Sequence, residues 1–354
     1  KSYFGNDKVD FEHLPDNKRV RYLGAHLTIN RSSKIALLDH ADFIEELLET
    51  HGLNNCQPRI TPASANPLTF PKEAKTDPLY QSLVGSLQWI VNTRPDIAFA
   101  VKELGRHNRA ATEEHFTAAK AVLRYLAGTS NIGIVLRGAI QLSDIKLEAW
   151  CDASYAPCPY TRRSTLGYLL AVNGSTILTK SSTERTVALS STEAELYAAN
   201  EAAKAIIWNR RILDFLGCPQ ADASPLYTDN QAIIPLIRNL SVGNNSKHVD
   251  IRRHHLHQLL EDNIISLSYE NTRTNPADVL TKHLSRELHH YHIYRICLAF
   301  LGHVTPGDTD RSVSALLGTR LTSKKFGEVC CLDELLVPSR DNKESPAFLI
   351  IPFT

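Results

Sequence analysis

The sequence contains no methionine, and none of its seven cysteines is spaced as a CxxC pair. An odd number of irregularly spaced cysteines indicates neither a disulfide framework nor a cysteine-based zinc site, so we expect a reducing, intracellular compartment. No apolar run is long enough to cross a bilayer, and the polar N-terminus is unlike a signal peptide. The missing methionine favours a piece of a longer product.

An excess of charge of one sign is also missing, because 39 Lys and Arg residues are balanced by 38 Asp and Glu residues. The chain therefore has no overall basic character, and any nucleic-acid site must be a local cluster of cations. With 354 residues, of which 43% are hydrophobic, the chain is long enough for two domains with buried cores.

Residues 1–143 are predicted to be mixed at the start and mainly helical afterwards. A strand is predicted over residues 22–30, which alternate between apolar and polar. Helices are predicted where apolar residues recur every three to four positions: over residues 41–51, 79–91, 96–107 and 112–128. We expect the apolar side chains of these helices, Trp89, Leu123 and Leu126 among them, to form a core.

Residues 144–303 are predicted to form a second domain, in which three strands precede alternating helices and strands. The order βββ-α-β-α-α-β-α is typical of a mixed sheet with helices on its faces. Asn173-Gly174 predicts a hairpin, Ser191 is expected to cap a long helix, and Pro276 is expected to open the last helix. Residues 304–354 have no periodicity and are predicted to be an irregular tail.

Four carboxylates occupy positions where strands end or helices begin: Asp152, Glu195, Asp229 and Asp278. In an open sheet such positions meet at one edge, so these acids are candidates for one site. Clustered carboxylates repel one another unless cations neutralise them, and oxygen ligands without Cys or His suit Mg²⁺ or Mn²⁺. Two such ions about 4 Å apart are suited to phosphodiester cleavage. Each acid alone is typical of a helix cap or a solvated charge, so it is their combination that favours a site.

Six long segments occur in an order that is specific for one family. They are YQSLVGSLQWIVNTRPDIAFAV (residues 80–101), HFTAAKAVLRYLAGT (115–129), VALSSTEAELYAA (187–199), LYTDNQAI (226–233), SKHVDIRRHHL (246–256) and NPADVLTK (275–282). Together they resemble the Pol polyprotein of copia-type retrotransposons, from the end of reverse transcriptase through the ribonuclease H domain.

The resemblance implies an α/β fold of the ribonuclease H type, with a mixed five-stranded sheet flanked by helices. The mainly helical region before it is then similar to the thumb and connection of reverse transcriptase. Two Mg²⁺ ions, for which Mn²⁺ can substitute, and endonucleolytic cleavage of RNA in RNA–DNA hybrids are also implied. The family's acids fall on Asp152, Glu195, Asp229 and Asp278, with Glu193 as an alternative to Glu195.

The resemblance also implies partners beyond this chain. They are the RNA–DNA hybrid and the rest of the Pol polyprotein, namely the polymerase palm and fingers, the integrase and the protease. The implied location is a cytoplasmic virus-like particle or the nucleus.

Two departures from the family pattern limit what this chain is expected to do. No Asp-Asp pair occurs anywhere, so the polymerase motif is missing and DNA polymerase activity is not expected. The segment before Asp278 has no His, which predicts slower turnover. A catalytically inactive or host-adopted remnant that still binds nucleic acid stays open as an alternative. An integrase-like transferase is disfavoured, since its acids run Asp, Asp, Glu along the chain.

Nucleic-acid contacts are expected from two local groups of cations. They are Lys247, His248, Arg252 and Arg253 in a basic helix, and Arg162 and Arg163 between the first two strands. The histidines of the basic helix lack an acid or cysteine that would complete a tetrahedral set, so a zinc site is disfavoured. The run His289, His290 and His292 is predicted to be an exposed polar face.

Overall fold

The computed structural model of the chain describes residues 14–64, 66–71, 75–139, 141–239, 247–296 and 298–300. The tail predicted over residues 304–354 lies outside these ranges. The described residues form two five-stranded sheets, with helices packed between and beside them. Among these residues, no helix combines the length and the apolar character that crossing a membrane requires.

The first sheet is antiparallel and belongs mostly to the N-terminal region. Its strands are β1 (Arg19–Tyr22), β2 (Ala25–Asn30), β3 (Ile35–Asp39), β4 (Ile132–Arg137) and β10 (Leu298–Phe300), in the spatial order β1-β2-β3-β4-β10. The single strand predicted over residues 22–30 is wrong, because Leu23 and Gly24, with φ of 48° and 84°, form a turn that separates β1 from β2. The sequence pattern does not predict β3 and β4, since both are short apolar runs without alternation.

The helices predicted in this region are confirmed. They are α1 (Ala41–Thr50), α2 (Pro78–Ile90), α3 (Ala98–Gly105) and α4 (Glu113–Ala127), with a 3-10 turn, Pro95–Ile97, before α3. Leu123 and Leu126 are fully buried, as expected, but Trp89 is 45% exposed. The Trp89 indole packs over Gly24 at the surface, so the prediction that it belongs to the core is wrong.

The second sheet contains the later strands and is mixed. Its strands are β5 (Leu147–Ser154), β6 (Thr165–Val172), β7 (Ser175–Thr183), β8 (Ser224–Thr228) and β9 (Ile265–Tyr269), in the order β7-β6-β5-β8-β9. β5, β6 and β7 form an antiparallel meander, whereas β8 runs parallel to β5 and β9 runs parallel to β8. The hairpin at Asn173-Gly174 is confirmed, with the positive φ values of 51° and 69° that a type I′ turn requires.

Helices cover both faces of the second sheet. They are α5 (Ser191–Phe215), α6 (Ile233–Arg238), α7 (Lys247–Glu261) and α8 (Arg286–Arg295), with another 3-10 turn, Pro276–Leu280, before α8. On one face, Ala149 and Cys151 of β5 share a core with α5, α6 and α7. On the other face, Leu169 and Ala171 of β6 pack with Val279 and with α1–α4. The predicted α/β architecture, a mixed five-stranded sheet flanked by helices, is thereby confirmed.

Two element boundaries differ from the prediction. Ser190, rather than Ser191, caps α5, because its hydroxyl accepts a hydrogen bond from the Glu193 N–H group at 3.1 Å. The helix predicted to open at Pro276 is a 3-10 turn of five residues, and α8 begins at Arg286. After α8 the chain returns to the first sheet through β10, and the domain limits at residues 143 and 303 stay predictions.

Candidate active site

Two of the four acids come from adjacent parallel strands. Asp152 lies in β5, and Asp229 directly follows β8. Because Cys151 is paired with Thr228 in the β5–β8 register, the residue that follows each of them lies at the same edge of the sheet. The carboxylates of Asp152 and Asp229 therefore lie together at this edge.

The third acid, Glu195, reaches the same place from the beginning of α5. Its Oε1 atom accepts a hydrogen bond from the Ala153 N–H group at 3.3 Å, which holds the side chain against the end of β5. One carboxylate oxygen from each of Asp152, Glu195 and Asp229 lies within 4.8 Å of the other two. Three acids from three elements thus form one cluster.

The alternative acid, Glu193, has a different role. Its carboxylate accepts hydrogen bonds from the Leu189 N–H group at 2.7 Å and from the Tyr197 hydroxyl. These bonds hold Glu193 at the N-terminus of α5, where the helix dipole favours an anion. The geometry therefore supports Glu195 over Glu193 as the acid of the cluster.

The fourth acid, Asp278, joins the cluster through a lysine. Its Oδ1 atom lies 2.9 Å from Lys282 Nζ, and the same nitrogen lies 3.6 Å from Oδ2 of Asp152. Asp278 is outside the group of three whose oxygens are mutually within 4.8 Å. All four predicted acids therefore belong to one neighbourhood, with Asp278 at its border and Lys282 between it and Asp152.

Hydrogen bonds tie the 3-10 turn of Asp278 to the end of β5. The Asn275 side-chain amide donates to the Cys151 carbonyl at 2.9 Å, and its oxygen accepts from the Ala277 N–H group at 3.1 Å. The Thr281 hydroxyl donates to Oδ2 of Asp152. The positions of Asp152 and Asp278 are therefore set by the same turn.

Burial makes this cluster electrostatically unfavourable on its own. Asp152, Glu195 and Asp278 are each less than a tenth exposed. Burial, followed by the charges of Asp152 and Asp229, raises the pKa of Glu195, and burial together with Asp152 raises the pKa of Asp278. Burial alone would lower the pKa of Lys282, but Asp152 and Asp278 raise it above its ordinary value, so the lysine stays charged.

The donor set fits a hard divalent cation. Every candidate ligand is a carboxylate oxygen, and such oxygens are the ligands that Mg²⁺ and Mn²⁺ take in proteins. Oε2 of Glu195 is buried and has no hydrogen-bond partner among the described residues. A buried carboxylate oxygen without a partner is unfavourable unless a cation binds it.

Comparisons with known proteins bear on the origin of this site. No family model matches the chain. It is 35% identical over 274 residues to the retrovirus-related Pol polyprotein from transposon TNT 1-94 of Nicotiana tabacum, which covers 75% of this chain and 20% of the relative. It is 34% identical over 252 residues to the corresponding polyprotein from transposon RE1 of Arabidopsis thaliana, covering 70% of this chain and 17% of the relative. The chain belongs to the retrovirus-related Pol polyproteins of transposons.

The chain, which we call the Pol segment, spans about a fifth of the length of those relatives. Among solved structures, it is similar to ribonuclease H1 from Halobacterium salinarum NRC-1, with 17% identity and a TM-score of 0.29, covering 38% of this chain and 94% of that chain. The family and the topology of the second sheet identify that part of the segment as a retroelement domain of the ribonuclease H type.

Several of the cations predicted to bind nucleic acid are accessible at the surface of the Pol segment. Arg162 and Arg163 are exposed in the loop between β5 and β6, which begins after Ser154. Lys247 is exposed at the start of α7. The Arg252 guanidinium lies 4.2 Å from the centre of the Tyr197 ring, one α5 turn beyond Glu193. The His248 side chain lies outside what the structure describes.

Arg253 does not belong to this surface, which corrects the prediction. Its residue is 2% exposed. Its guanidinium donates to the Leu236 carbonyl at 2.6 Å and to the Asn239 carbonyl. Because α6 ends at Arg238, these bonds satisfy carbonyls at the end of that helix, and Arg253 holds α6 to α7.

The run of histidines in α8 is also not the exposed face that the sequence predicts. His289 is 4% exposed and His292 is fully buried. Nε2 of His289 lies 3.2 Å from the Tyr125 hydroxyl of α4, so α8 packs against the helices of the first region. The prediction fails because the polar character of α8 in the sequence does not reveal that the helices of the first region cover this helix.

Sequence reasoning does not identify the residues that support the acids, namely Gly167, Asn275, Thr281 and Lys282. A signal exists for three of them, since Asn275, Thr281 and Lys282 lie in the same segment, NPADVLTK, as Asp278. Lys282 follows Asp278 by four residues, a spacing that brings side chains together on a helical turn. Gly167 lies across the β5–β6 ladder and has no local signal.

Proposed function

We propose that this Pol segment is a ribonuclease H that cleaves the RNA strand of RNA–DNA hybrids, with two divalent cations held by Asp152, Glu195, Asp229 and Asp278. The observation that supports it most is the convergence of Asp152, Glu195 and Asp229, from three separate elements, on one cluster, which Lys282 joins to Asp278. Mg²⁺ ions, or Mn²⁺ in their place, would supply the positive charge that activates water and stabilises the leaving oxygen in phosphodiester cleavage.

The residues of the chain hold the metal-binding carboxylates in position and do not themselves supply the reactive group. Asp152 lies at the centre, because its neighbours are Glu195, Asp229, Thr281 and Lys282. The Ala153 N–H group and the Thr281 hydroxyl fix the orientation of two of the acids. A preformed set of ligands reduces the reorganisation that metal binding and catalysis require.

The substrate would lie on the open surface beyond the sheet edge. A cavity beside Lys282, lined also by Asp96, Phe99 and His289, holds only about 10 Å³. That volume is close to the space of one water molecule, so a nucleotide does not fit inside. Arg162, Arg163, Lys247 and Arg252 are the candidates for contacts with the phosphates, which position the duplex without reading its sequence.

The remaining partners follow from the family. We propose that this segment works with the other parts of a Pol polyprotein, namely the polymerase palm and fingers, the integrase and the protease. The working place would be a virus-like particle in the cytoplasm, or the nucleus. The segment by itself is not expected to polymerise DNA, because it has no Asp-Asp pair.

A strand-specific cleavage assay tests this function. Purified protein is incubated with a hybrid that carries one label on its RNA strand and another on its DNA strand, with and without Mg²⁺. We expect Mg²⁺-dependent cutting of the RNA strand, with 3′-hydroxyl ends and an intact DNA strand.

Matched variants locate the activity in the cluster. Asp229→Asn should lower the rate by at least about a hundredfold, in the range that loss of one essential electrostatic group produces. Asp214→Asn, at an exposed position of α5, should leave the rate unchanged. Cutting that survives Asp229→Asn would refute the site. Salt-sensitive binding of the hybrid without any cleavage would favour the inactive remnant.

A further inference from the structure

Among the described residues, Lys282 is the one cation whose side chain pairs with carboxylates of the acidic cluster. Its ammonium group lies 2.9 Å from Oδ1 of Asp278 and 3.6 Å from Oδ2 of Asp152. The side chains of these two acids are 6% and 2% exposed, whereas that of Lys282 is 35% exposed. The lysine therefore approaches the buried acids from the solvent side.

Asp152 and Asp278 are also two of the four acids of the proposed metal centre. A divalent cation bound between Asp152 and Asp278 would lie within a few ångströms of the Lys282 ammonium group. Two cations at that separation repel one another strongly in a poorly solvated site. The lysine and a divalent cation thus exclude each other from these two carboxylates.

The surroundings of Lys282 allow it to leave. Its stem is partly exposed, and it borders the small cavity lined by Phe99, Ala100 and His283, so the space beside it is incompletely filled. Thr281 and Asp278 are held by hydrogen bonds of their own to the end of β5 and to the 3-10 turn. The ammonium group can therefore move away while the acids keep their positions.

We propose that Lys282 is a displaceable internal counter-ion of the acidic cluster. It neutralises Asp152 and Asp278 while the chain is free of metal, and it leaves them when a divalent cation binds. Its presence weakens metal affinity and stabilises the metal-free fold, so removing it should change these two properties in opposite directions. This inference rests on the proposed function, because it needs the cluster to bind metal.

Calorimetric titration of the full chain with MgCl₂ and MnCl₂, without nucleic acid, tests the effect on affinity. Lys282→Gln should bind metal about tenfold more tightly than the wild type, a coupling within the range found between two ligands of one protein. Lys282→Arg, which keeps the charge, should stay near the wild-type affinity. Lys204→Gln is the matched control, since it removes a lysine that pairs with Glu201 on the exposed side of α5.

Thermal melting of the same proteins gives a second result. The metal-free melting temperature of Lys282→Gln should fall below that of the wild type, and Mg²⁺ should raise it by a larger increment. Unchanged or weaker metal binding by Lys282→Gln, with metal binding intact in the wild type, overturns the counter-ion role. Absence of metal binding in every variant and in the wild type overturns the metal centre itself, and the counter-ion role with it.

Amine labelling of the wild-type chain tests the same idea without relying on any variant to fold. A limiting amount of an amine-reactive ester is added with and without Mg²⁺, and the modification of Lys282 is measured by peptide mass spectrometry, with Lys204 as the internal reference. We expect Mg²⁺ to increase the labelling of Lys282 several-fold relative to Lys204. An equal or lower labelling in a sample that binds Mg²⁺ contradicts displacement.

Discussion

Gly167 is the cross-strand partner of Asp152, and the space where its side chain would lie is filled by the turn that carries Asp278. A Cβ atom on Gly167 would lie 2.6 Å from Cγ2 of Thr281 and 2.9 Å from Cβ of Leu280. The absence of a side chain at this one position therefore lets the 3-10 turn rest directly on β6. That close approach brings Thr281 within hydrogen-bonding reach of Asp152.

We expect Gly167→Ala to lower both the stability of the chain and its cleavage of hybrids, although the substitution adds only one methyl group. The turn must move away from β6, which costs about 1–3 kcal/mol of unfolding free energy and separates Thr281 from Asp152. Hybrid cleavage should fall at least about tenfold, and the melting temperature should fall with it. Gly85→Ala is the control, because no heavy atom lies within 4 Å of the position its methyl group would take and alanine favours the helix. A fully active Gly167→Ala variant would show that the turn needs no such approach.

Glu195→Gln and Glu193→Gln should have opposite effects, although they lie two residues apart. Burial and neighbouring acids oppose the charge of Glu195, so Glu195→Gln should raise the melting temperature of the metal-free chain and abolish its rise with Mg²⁺. Glu193→Gln weakens charged hydrogen bonds at the start of α5, so it should lower stability by about 1 kcal/mol and keep the Mg²⁺ response. Thermal melting with and without Mg²⁺ measures both. The reverse pattern would make Glu193 the metal-binding acid.

Variants of the exposed arginines and of the buried Arg253 should have different effects, the first on hybrid binding and the second on stability. The paired change Arg162→Ala and Arg163→Ala removes exposed cations, so hybrid binding should weaken and depend less steeply on salt while stability stays unchanged. Arg253→Ala leaves the carbonyls of Leu236 and Asn239 without their donor, which should cost about 2–3 kcal/mol of unfolding free energy. Titrations of hybrid binding at several salt concentrations, with melting curves, distinguish the two. A stable Arg253→Ala variant with weakened binding would return Arg253 to the nucleic-acid surface.

Acid should destabilise the chain through its buried histidines. Burial lowers the pKa of His292 to about 4, from 6.5, and neither ring nitrogen has a hydrogen-bond partner among the described residues. The unfolded chain then binds the proton more readily, so this contribution to stability is complete above pH 6.5 and is lost as the pH falls towards 4. His292→Leu should therefore move the midpoint of acid unfolding to lower pH.

The control for that prediction is His254→Leu, because His254 is exposed on α7. Comparing each variant with the wild type at every pH isolates the histidine, since the acids of the cluster titrate in all three proteins. An acid midpoint that is the same in the wild type and in His292→Leu would mean that His292 does not titrate with unfolding.

The local patterns of the sequence predict the elements that are amphipathic or that are bounded by characteristic turn or capping residues. The hairpin at Asn173-Gly174 has a turn that few residue pairs can form, and α5 has a capping serine within one residue of the predicted position. β3 and β4 escape prediction because Ile35–Asp39 and Ile132–Arg137 are buried too completely to alternate. A short, continuous apolar run does not distinguish a strand from a buried helix segment.

The residues of the site likewise fall into those that the sequence predicts and those that it does not. The four acids are recognisable because each stands at the end of a strand or near the start of a helical turn in a motif of the family. Arg253 and His292 are misjudged because charge and polarity in a sequence say nothing of the layer that later covers them. Gly167 and Lys282 act through contacts with distant or newly folded segments, and such contacts exist only after the sheet has formed.

Diffraction from crystals grown with Mn²⁺ tests the central claim most directly, because the anomalous signal of manganese locates the ion without reference to activity. We expect anomalous peaks about 2.1 Å from carboxylate oxygens of Asp152, Glu195, Asp229 and Asp278, with the Lys282 ammonium group displaced from Asp278. Crystals with millimolar Mn²⁺ that show no peak at this cluster, and Lys282 still paired with Asp278, would contradict the account.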